Sequence, residues 1–190
     1  MGHIVGITGS IASGKTTILS YMTQNGYAVF ICDNYVKELY AMPEIARKIR
    51  AILPDLDITN RKAIAKIIYK NPEKKKQLEQ LLHPLVRKKM LEFIAKYRDE
   101  QVIFLEVPLL FESGFDSYCT HTISLLCPKN IRKDRAIGRG IDPDIFESID
   151  KIQMPESEKK KRASFAIDSS GTMEEVVENF SKAIDTIFRS

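Results

Sequence analysis

Five short segments of the chain are apolar along most of their length, and polar or turn-forming residues bound each of them. Such runs predict β-strands, and the continuous ones are typical of strands buried on both faces of a parallel sheet. The segments are residues 3–8, 27–32, 101–106, 120–127 and 164–167. Helical patterns lie between them. This order predicts an α/β protein of three layers, with a five-stranded parallel sheet between helices.

Residues 54–98 show helical patterns without an intervening strand. Asn60 is placed to cap a helix over 61–70, and Pro72 is placed to start another over 73–82. His83-Pro84 should end that helix before a third begins over 85–97. Because one crossover needs less chain, we expect a helical insertion, about residues 41–98, that covers the sheet rim and contacts a second substrate. A helical hairpin with only a structural role is the alternative.

The first predicted strand runs into Gly9-Ser10-Ile11-Ala12-Ser13-Gly14-Lys15-Thr16, which matches the P-loop pattern G-x-x-x-x-G-K-[ST]. A predicted helix follows, from Thr17 to about Asn25-Gly26. In this context backbone N–H groups and a helix N-terminus face phosphate oxygens. Lys15 would reach the β- and γ-phosphates of ATP, and the Thr16 hydroxyl would hold Mg²⁺. We prefer this interpretation to a glycine-containing turn that matches by chance. It predicts a P-loop NTPase fold.

Two acids stand where predicted strands end. Asp33 follows the second strand directly, and Glu106 closes the third. The carboxyl ends of parallel strands share one rim of a sheet, so both acids should lie near the P-loop. Glu106 fits a Walker B position, from which it would orient Mg²⁺ through water, although any buried strand can end in Glu. The structural alternative for Asp33 is a helix N-cap that accepts from Tyr35 and Val36.

Composition indicates a globular protein. The chain has 190 residues, 44% of them hydrophobic, and a net charge of +4. Its longest apolar runs are too short to span a bilayer, and no signal-peptide pattern precedes the P-loop, so we expect a cytoplasmic protein. The three cysteines have neither C-x-x-C spacing nor a nearby His cluster, which argues against disulfide and zinc sites.

Basic residues concentrate in two segments. Residues 129–140 hold five bases and one acid, and they predict a short helix with glycine hinges that closes as a lid over ATP. Arg135 and Arg139 would share a helix face if the helix continued past Gly138. A solvated basic helix is the alternative, and it is also the preferred interpretation of residues 61–76. Since these segments hold one aromatic residue, we do not expect nucleic-acid binding.

From Ile4 to about Gly171 the chain resembles the dephospho-CoA kinases. The supporting segments are the P-loop, Gly26-Tyr27 leading into Asp33, Leu81-Leu82-His83-Pro84-Leu85-Val86-Arg87, Val107-Pro108-Leu109-Leu110-Phe111-Glu112, the Arg135 and Arg139 pair, and Gln153. The resemblance implies transfer of the ATP γ-phosphoryl group to the ribose 3′-hydroxyl of dephospho-CoA, with Mg²⁺. It also implies one domain, 1–190, with a core (about 1–40, 99–128 and 163–190), an acceptor-binding insertion (about 41–98) and a lid (about 129–162).

The resemblance assigns roles to individual residues. Asp33 would be the catalytic base, with Lys15 and Arg139 neutralising the transferring group. ATP would be bound by Gly9, Ser10, Ile11, Ala12, Ser13, Gly14, Lys15, Thr16, Thr17 and Arg135. The acceptor would be bound by Asp33, Lys37, His83, Arg87, Leu109 and Glu112. The metal would be held by Thr16 and Glu106.

The chain departs from the usual family pattern at several positions. Ile31-Cys32-Asp33 replaces Asp-Ala-Asp, Lys37 replaces Arg, and Ser164 and Ser169 replace Asp and Asn near the adenine. Two other functions stay open: another small-metabolite or nucleoside-monophosphate kinase, and a nucleotide-dependent switch. The absence of an Asn-Lys-x-Asp motif argues against a typical GTPase. We expect a monomer or weak homo-oligomer.

Overall fold

The strands of the protein form one parallel sheet in a computed structural model, which describes residues 2–54, 56–58, 60–68 and 71–189. The strands are β1 (His3–Gly9), β2 (Ala28–Ile31), β3 (Val102–Glu106), β4 (His121–Leu126) and β5 (Phe165–Asp168). They are ordered β2-β3-β1-β4-β5 across the sheet. The predicted five strands are confirmed, and each end lies within one residue of the predicted one.

Helices lie on both sides of the sheet, which confirms the predicted three-layer fold. They are α1 (Lys15–Gln24), α2 (Cys32–Ala41), α3 (Pro43–Ile52), α4 (Arg61–Ile68), α5 (Pro72–Lys96), α6 (Lys129–Gly138), α7 (Pro143–Ile152), α8 (Glu156–Arg162) and α9 (Met173–Phe188). The last two residues of the helix predicted over 61–70 lie outside the described residues. Within the described ranges, no helix has the length and apolar character needed to cross a membrane.

The chain divides into two compact units. The sheet unit comprises the residues up to Phe30 and those from Ile94 onward, and the helical unit comprises Ile31–Phe93. The helical unit contains fourteen basic and eight acidic residues, a net charge of +6, whereas the rest of the chain has a net charge of −2. The predicted division into core, insertion and lid stays a prediction.

The core of the sheet unit forms because β3 is apolar on both faces and α9 is apolar on one. All five residues of β3 are buried, and Phe104 is 0% exposed. The ring of Phe180, on the buried face of α9, lies 5.8 Å from that of Phe104. A capping box starts α9, since Thr172 Oγ1 accepts from Glu175 N and Glu175 Oε2 accepts from Thr172 N.

The prediction that His83-Pro84 ends a helix is wrong. Helix α5 runs without interruption from Pro72 to Lys96 and contains Pro84. Proline removes one backbone hydrogen bond, but a buried apolar stripe continues on both sides of it and outweighs that loss. The stripe repeats every four residues, at Leu78, Leu82, Val86 and Met90. The other predicted starts are confirmed: Asn60 Oδ1 accepts from Ala63 N, and α5 begins at Pro72. Asp142 caps α7 in the same way, since its Oδ1 accepts from Asp144 N.

Candidate active site

The strand order places the loop between β1 and α1 at the centre of the sheet's carboxyl edge. Strand β1 lies between β3 and β4, with Ile7 paired to Glu106 and Gly9 paired to Leu125. The chain therefore leaves the sheet between the ends of two neighbouring strands. In open parallel sheets this edge is where ligands bind.

The loop of residues 9–16 is held by its own backbone. Ser13 N donates to Ser10 O at 3.1 Å, and Thr17 N donates to Gly14 O at 3.0 Å. Ala12 and Gly14 adopt left-handed backbone conformations, with φ of 59° and 94°. Backbone turns of this kind direct successive N–H groups into one concave surface, which suits an anion. The Lys15 ammonium donates to the carbonyl oxygens of Gly9 at 2.8 Å and Ser10 at 3.3 Å.

Gly9 is required by close packing at the start of the loop. A Cβ atom on Gly9 would contact Ser13 Oγ and would lie 2.8 Å from the backbone oxygen of Leu125. The backbone oxygen cannot move without disturbing β4. Any larger residue at Gly9 would therefore displace the loop.

Two residues from elsewhere in the sheet unit hold the loop from the side of β5. Ser169, which is 2% exposed, donates from Oγ to Ser13 O at 2.6 Å. Arg135 Nη1 donates to Ser169 O at 2.9 Å and lies 3.9 Å from the position that a Cβ atom would take on Gly14. The Arg135 charge is therefore fixed beside the loop that the sequence assigns to phosphates.

Gln153 contacts the loop directly. Its side-chain oxygen, just beyond the end of α7, accepts from the Ile11 backbone N–H at 2.8 Å. The sequence indicated Gln153 only as part of a family resemblance. The structure shows that its amide fixes one peptide of the loop.

The metal-binding residues predicted from the sequence offer hard oxygen donors. Thr16 is exposed in the first turn of α1, and Glu106 is 3% exposed at the carboxyl end of β3. Within the described ranges, no group of three or more His, Cys, Asp or Glu side chains forms a metal site. A hydroxyl and a carboxylate fit Mg²⁺, which commonly binds proteins through one or two such ligands together with substrate phosphates.

Three of the five bases in residues 129–140 are paired with acids. Arg132 is 4% exposed and donates to Asp150 Oδ1 at 2.6 Å and to the Cys127 carbonyl at 2.8 Å. Lys129 and Lys133 both bind Glu147, at 2.7 and 2.9 Å. These pairs join α6 to α7. The segment is therefore not one continuous phosphate-facing surface, and Arg135 and Arg139 are its remaining bases.

Arg139 does not share a helix face with Arg135. Helix α6 ends at Gly138, and Arg139 is the residue that caps it, with its N–H donating to Ala136 O at 3.1 Å. The condition on which the sequence-based pairing depended is not met, because the glycine ends the helix. The Arg139 side chain is exposed, and its role stays a prediction.

Glu112, predicted to bind the acceptor, is part of a structural network. Its Oε1 accepts from Met154 N at 2.8 Å and lies 3.7 Å from Lys159 Nζ. Leu109 is half-buried in the turn before it, and its carbonyl accepts from Ser113. The structure thus joins the turn after β3 to the segment between α7 and α8.

The other predicted residues belong to the helical unit. Asp33 is exposed in the first turn of α2, whose cap is Ile31, so the alternative role of Asp33 as N-cap is not observed. Lys37 is exposed one turn later on α2. On α5, burial lowers the pKa of the half-buried His83, and Arg87 acts in the same direction while Glu79 opposes both. The approach of these residues to the loop stays a prediction.

A model of the dephospho-CoA kinase family matches residues 3–175. This chain belongs to the dephospho-CoA kinase family. It is 35% identical to a dephospho-CoA kinase of Rickettsia typhi, over 96% of each chain. A crystal structure of a Thermus thermophilus protein, TT1252, has a TM-score of 0.83 and 30% identity, with 97% of each chain covered. A Campylobacter jejuni dephospho-CoA kinase has a TM-score of 0.70 and 26% identity, covering 100% of this chain and 98% of the other.

Two departures from the usual dephospho-CoA kinase pattern have a structural use here. Ser164 forms a pair of hydrogen bonds with Thr122, in which Ser164 Oγ accepts from Thr122 N at 3.0 Å and Thr122 Oγ1 accepts from Ser164 N at 3.1 Å. Ser169 anchors the loop through Ser13. Ser164 therefore joins the amino ends of β4 and β5, whereas Ser169 holds the loop at the carboxyl edge of the sheet.

Sequence reasoning missed α8 and its buried lysine. Pro155 precedes this helix, whose first turn contains two acids and whose last turn contains four bases. Acids near the start and bases near the end favour a helix, so this order of charges is a signal in the sequence. Nothing in the polar run distinguishes Lys159, which is 0% exposed, from Lys160 and Lys161 beside it. Only the packing of α8 identifies it.

Proposed function

We propose that this chain transfers the γ-phosphoryl group of ATP to the ribose 3′-hydroxyl of dephospho-CoA and so produces CoA. The loop of residues 9–16, turned inward between the ends of two strands, carries the proposal. Its relatives from Rickettsia typhi and Campylobacter jejuni bear the name dephospho-CoA kinase. Together these observations support a phosphate site in a chain of this family.

The positive groups around the loop would neutralise charge during the transfer. Lys15 and the loop N–H groups would bind the β- and γ-phosphates, and Arg135 and Arg139 would face the transferring group. Mg²⁺, held by Thr16 and Glu106, supplies further positive charge to the phosphate oxygens when bound. Little covalent work by the protein is needed, because phosphoryl transfer depends mainly on positioning and electrostatics.

Asp33 would act as the base. As the acceptor oxygen forms its bond to the γ-phosphorus, the bond from that phosphorus to the β–γ bridging oxygen breaks and ADP leaves. The hydroxyl proton passes to the Asp33 carboxylate. Among the described residues, the Asp33 side chain has no hydrogen bond or ion pair, which leaves its oxygens available for that proton.

Acceptor binding is proposed for the residues that the family resemblance assigns to it. The helical unit has a net charge of +6, which suits an acceptor that carries phosphates. Lys37, His83 and Arg87 are its predicted contacts, and Leu109 and Glu112 are those of the turn. A cytoplasmic location and a monomeric or weakly oligomeric state are part of the same proposal, and cell fractionation and light scattering check them.

A coupled assay with ATP, Mg²⁺ and dephospho-CoA tests the function against a panel of nucleoside monophosphates and small alcohols. We expect dephospho-CoA to be the preferred acceptor. Preference for another acceptor would replace the proposal with a different kinase, and ATP binding without phosphorylation of any acceptor would favour a nucleotide-dependent switch.

The Asp33→Asn variant tests the base. We expect turnover to fall on the order of 10²- to 10³-fold, in the range that general bases contribute. Glu38→Gln is the matched control, since Glu38 is another exposed acid of α2. Parental turnover by Asp33→Asn would remove Asp33 from the mechanism.

A further inference from the structure

Lys159 is a fully buried charge in an otherwise polar, solvent-facing helix. It is 0% exposed, whereas Lys160 and Lys161, next to it in α8, are exposed. Among the described residues its Nζ has no hydrogen-bond partner, and Glu112 Oε1 lies 3.7 Å away. A lysine is rarely buried completely, because removing an ammonium from water is costly. This burial therefore calls for a physical reason.

Docking of α8 does not supply that reason. Arg162, at the end of the same helix, binds Asp116 at 3.0 Å and packs its guanidinium 4.8 Å from the centre of the Phe111 ring. These contacts already fasten α8 to the turn after β3 with a charge that stays partly in water. A methionine or leucine at position 159 would fill the buried space at lower cost.

The position of Glu112 explains the burial better. One of its oxygens, Oε1, lies near Lys159 Nζ and also accepts the hydrogen bond from Met154 N. The preceding residue, Gln153, accepts from the Ile11 N–H of the phosphate-binding loop at 2.8 Å. A connected series of contacts therefore runs from Lys159 through Glu112, Met154 and Gln153 to the loop.

The charges of the two groups depend on each other. Burial lowers the pKa of Lys159, while the carboxylates of Glu112 and Glu156 raise it. Glu112 thus favours the charged form of the lysine, and the ammonium in turn attracts Glu112 Oε1. The Lys159 side chain is fully buried and that of Glu112 is 20% exposed, so their attraction is screened less than that of a pair in which both groups are exposed.

We propose that Lys159 is a positioning residue for phosphoryl transfer, which holds Glu112 so that Gln153 keeps the Ile11 amide and the phosphate-binding loop in place. The proposal rests on the proposed kinase function, but the effect on ATP binding by which it is tested is independent of the acceptor. Lys159 itself does not contact substrate. Removal of the Lys159 ammonium should therefore change ATP binding by displacing the phosphate-binding loop.

The variant Lys159→Met tests this, with Lys160→Met as the matched control on the same helix. We expect Lys159→Met to raise the Kd for ATP, measured by calorimetry without acceptor, on the order of 10-fold, since small displacements far from the reaction can alter activity up to about 10²-fold. Hydrogen exchange at residues 9–16 should become faster. Lys160→Met should change neither quantity.

A double-mutant cycle with Gln153→Ala separates positioning from a general loss of stability. If the proposed connection exists, adding Gln153→Ala to Lys159→Met weakens ATP binding little further. Additive effects, or a folded Lys159→Met with parental ATP affinity, would overturn the proposal. If Lys159→Met does not fold, Glu112→Gln removes the same ion pair, and parental ATP affinity in that variant would overturn it equally. Failure of the parent to phosphorylate dephospho-CoA would reject the kinase function alone.

Discussion

Arg132 provides the sharpest test of how the segment after β4 is held together. It is 4% exposed and binds Asp150 at 2.6 Å, the Cys127 carbonyl at 2.8 Å and Glu156 at 3.4 Å. We propose the variant Arg132→Met, because methionine replaces the apolar stem of arginine and removes only the guanidinium. Asp150, Glu156 and the carbonyl then lose a buried donor.

The expected loss of unfolding free energy follows from these contacts. Removing one partner of a buried ion pair typically costs about 3–5 kcal/mol. Lys129 Nζ stays 3.1 Å from Asp150 Oδ2 and compensates part of the lost charge, so we expect about 3 kcal/mol, the lower end of that range. For a chain of this size that loss corresponds to a decrease of about 6–12 °C in Tm.

Urea unfolding followed by circular dichroism measures the effect, and Lys133→Met is the matched control on α6. The side chains of Lys133 and Glu147 are 39% and 43% exposed, so their ion pair should contribute little. Equal stability of the two variants would refute the argument that burial makes Arg132 important.

The pH dependence of stability gives a second measurement. Burial would raise the pKa of Asp150, but hydrogen bonds from Arg132 and Lys129 lower it. The stabilisation of the fold by ionised Asp150 is fully present above the pKa of Asp150 in the unfolded chain, near 3.9, and is lost as pH falls through the lower pKa of Asp150 in the folded protein. The variant Arg132→Met should make this loss of stability smaller.

Three further predictions concern Gly9 of the loop, Arg139 and His121. Gly9→Ala should weaken ATP binding at least about 10-fold, because the added Cβ atom would meet Leu125 O. Gly26→Ala is the control: Gly26 has φ of 76° and open space around it, so the added Cβ atom should cost only about 1 kcal/mol of stability. Arg139→Ala should lower kcat about 10²- to 10³-fold, more than it changes ATP affinity, with exposed Arg98→Ala as control; the reverse pattern would limit Arg139 to ground-state binding. Burial and the nearby charge of His3 lower the pKa of His121, so stability should fall as pH drops below about 6.5, and His121→Gln should flatten that slope in urea titrations at each pH.

The strands and the loop could be predicted from the sequence because both depend on local pattern. Each strand is apolar along most of its length, and the loop residues have fixed spacing and a strand before them. Pro84 shows the limit of this reasoning. A proline is a strong local signal, but the continuous stripe from Leu78 to Met90 depends on burial that only the fold reveals.

The site was predicted less completely because several of its contacts join distant parts of the chain. Gln153 and Ile11 are 142 positions apart, and Ser169 and Ser13 are 156 apart. No local pattern indicates that these side chains meet. Charge counting likewise treated Arg132 and Arg139 as equivalent bases, whereas the first is buried against acids and the second caps a helix in solvent.

The uneven charge of the chain has a consequence for the rate at which an acceptor arrives. Between residues 31 and 93 the chain has a net charge of +6, although the rest is slightly negative. Attraction of an anionic molecule to this segment acts over about 8 Å at physiological ionic strength and weakens as salt is added. Encounter with a phosphate-bearing acceptor should therefore slow as ionic strength rises, while the breaking of the phosphate bond proceeds at an unchanged rate.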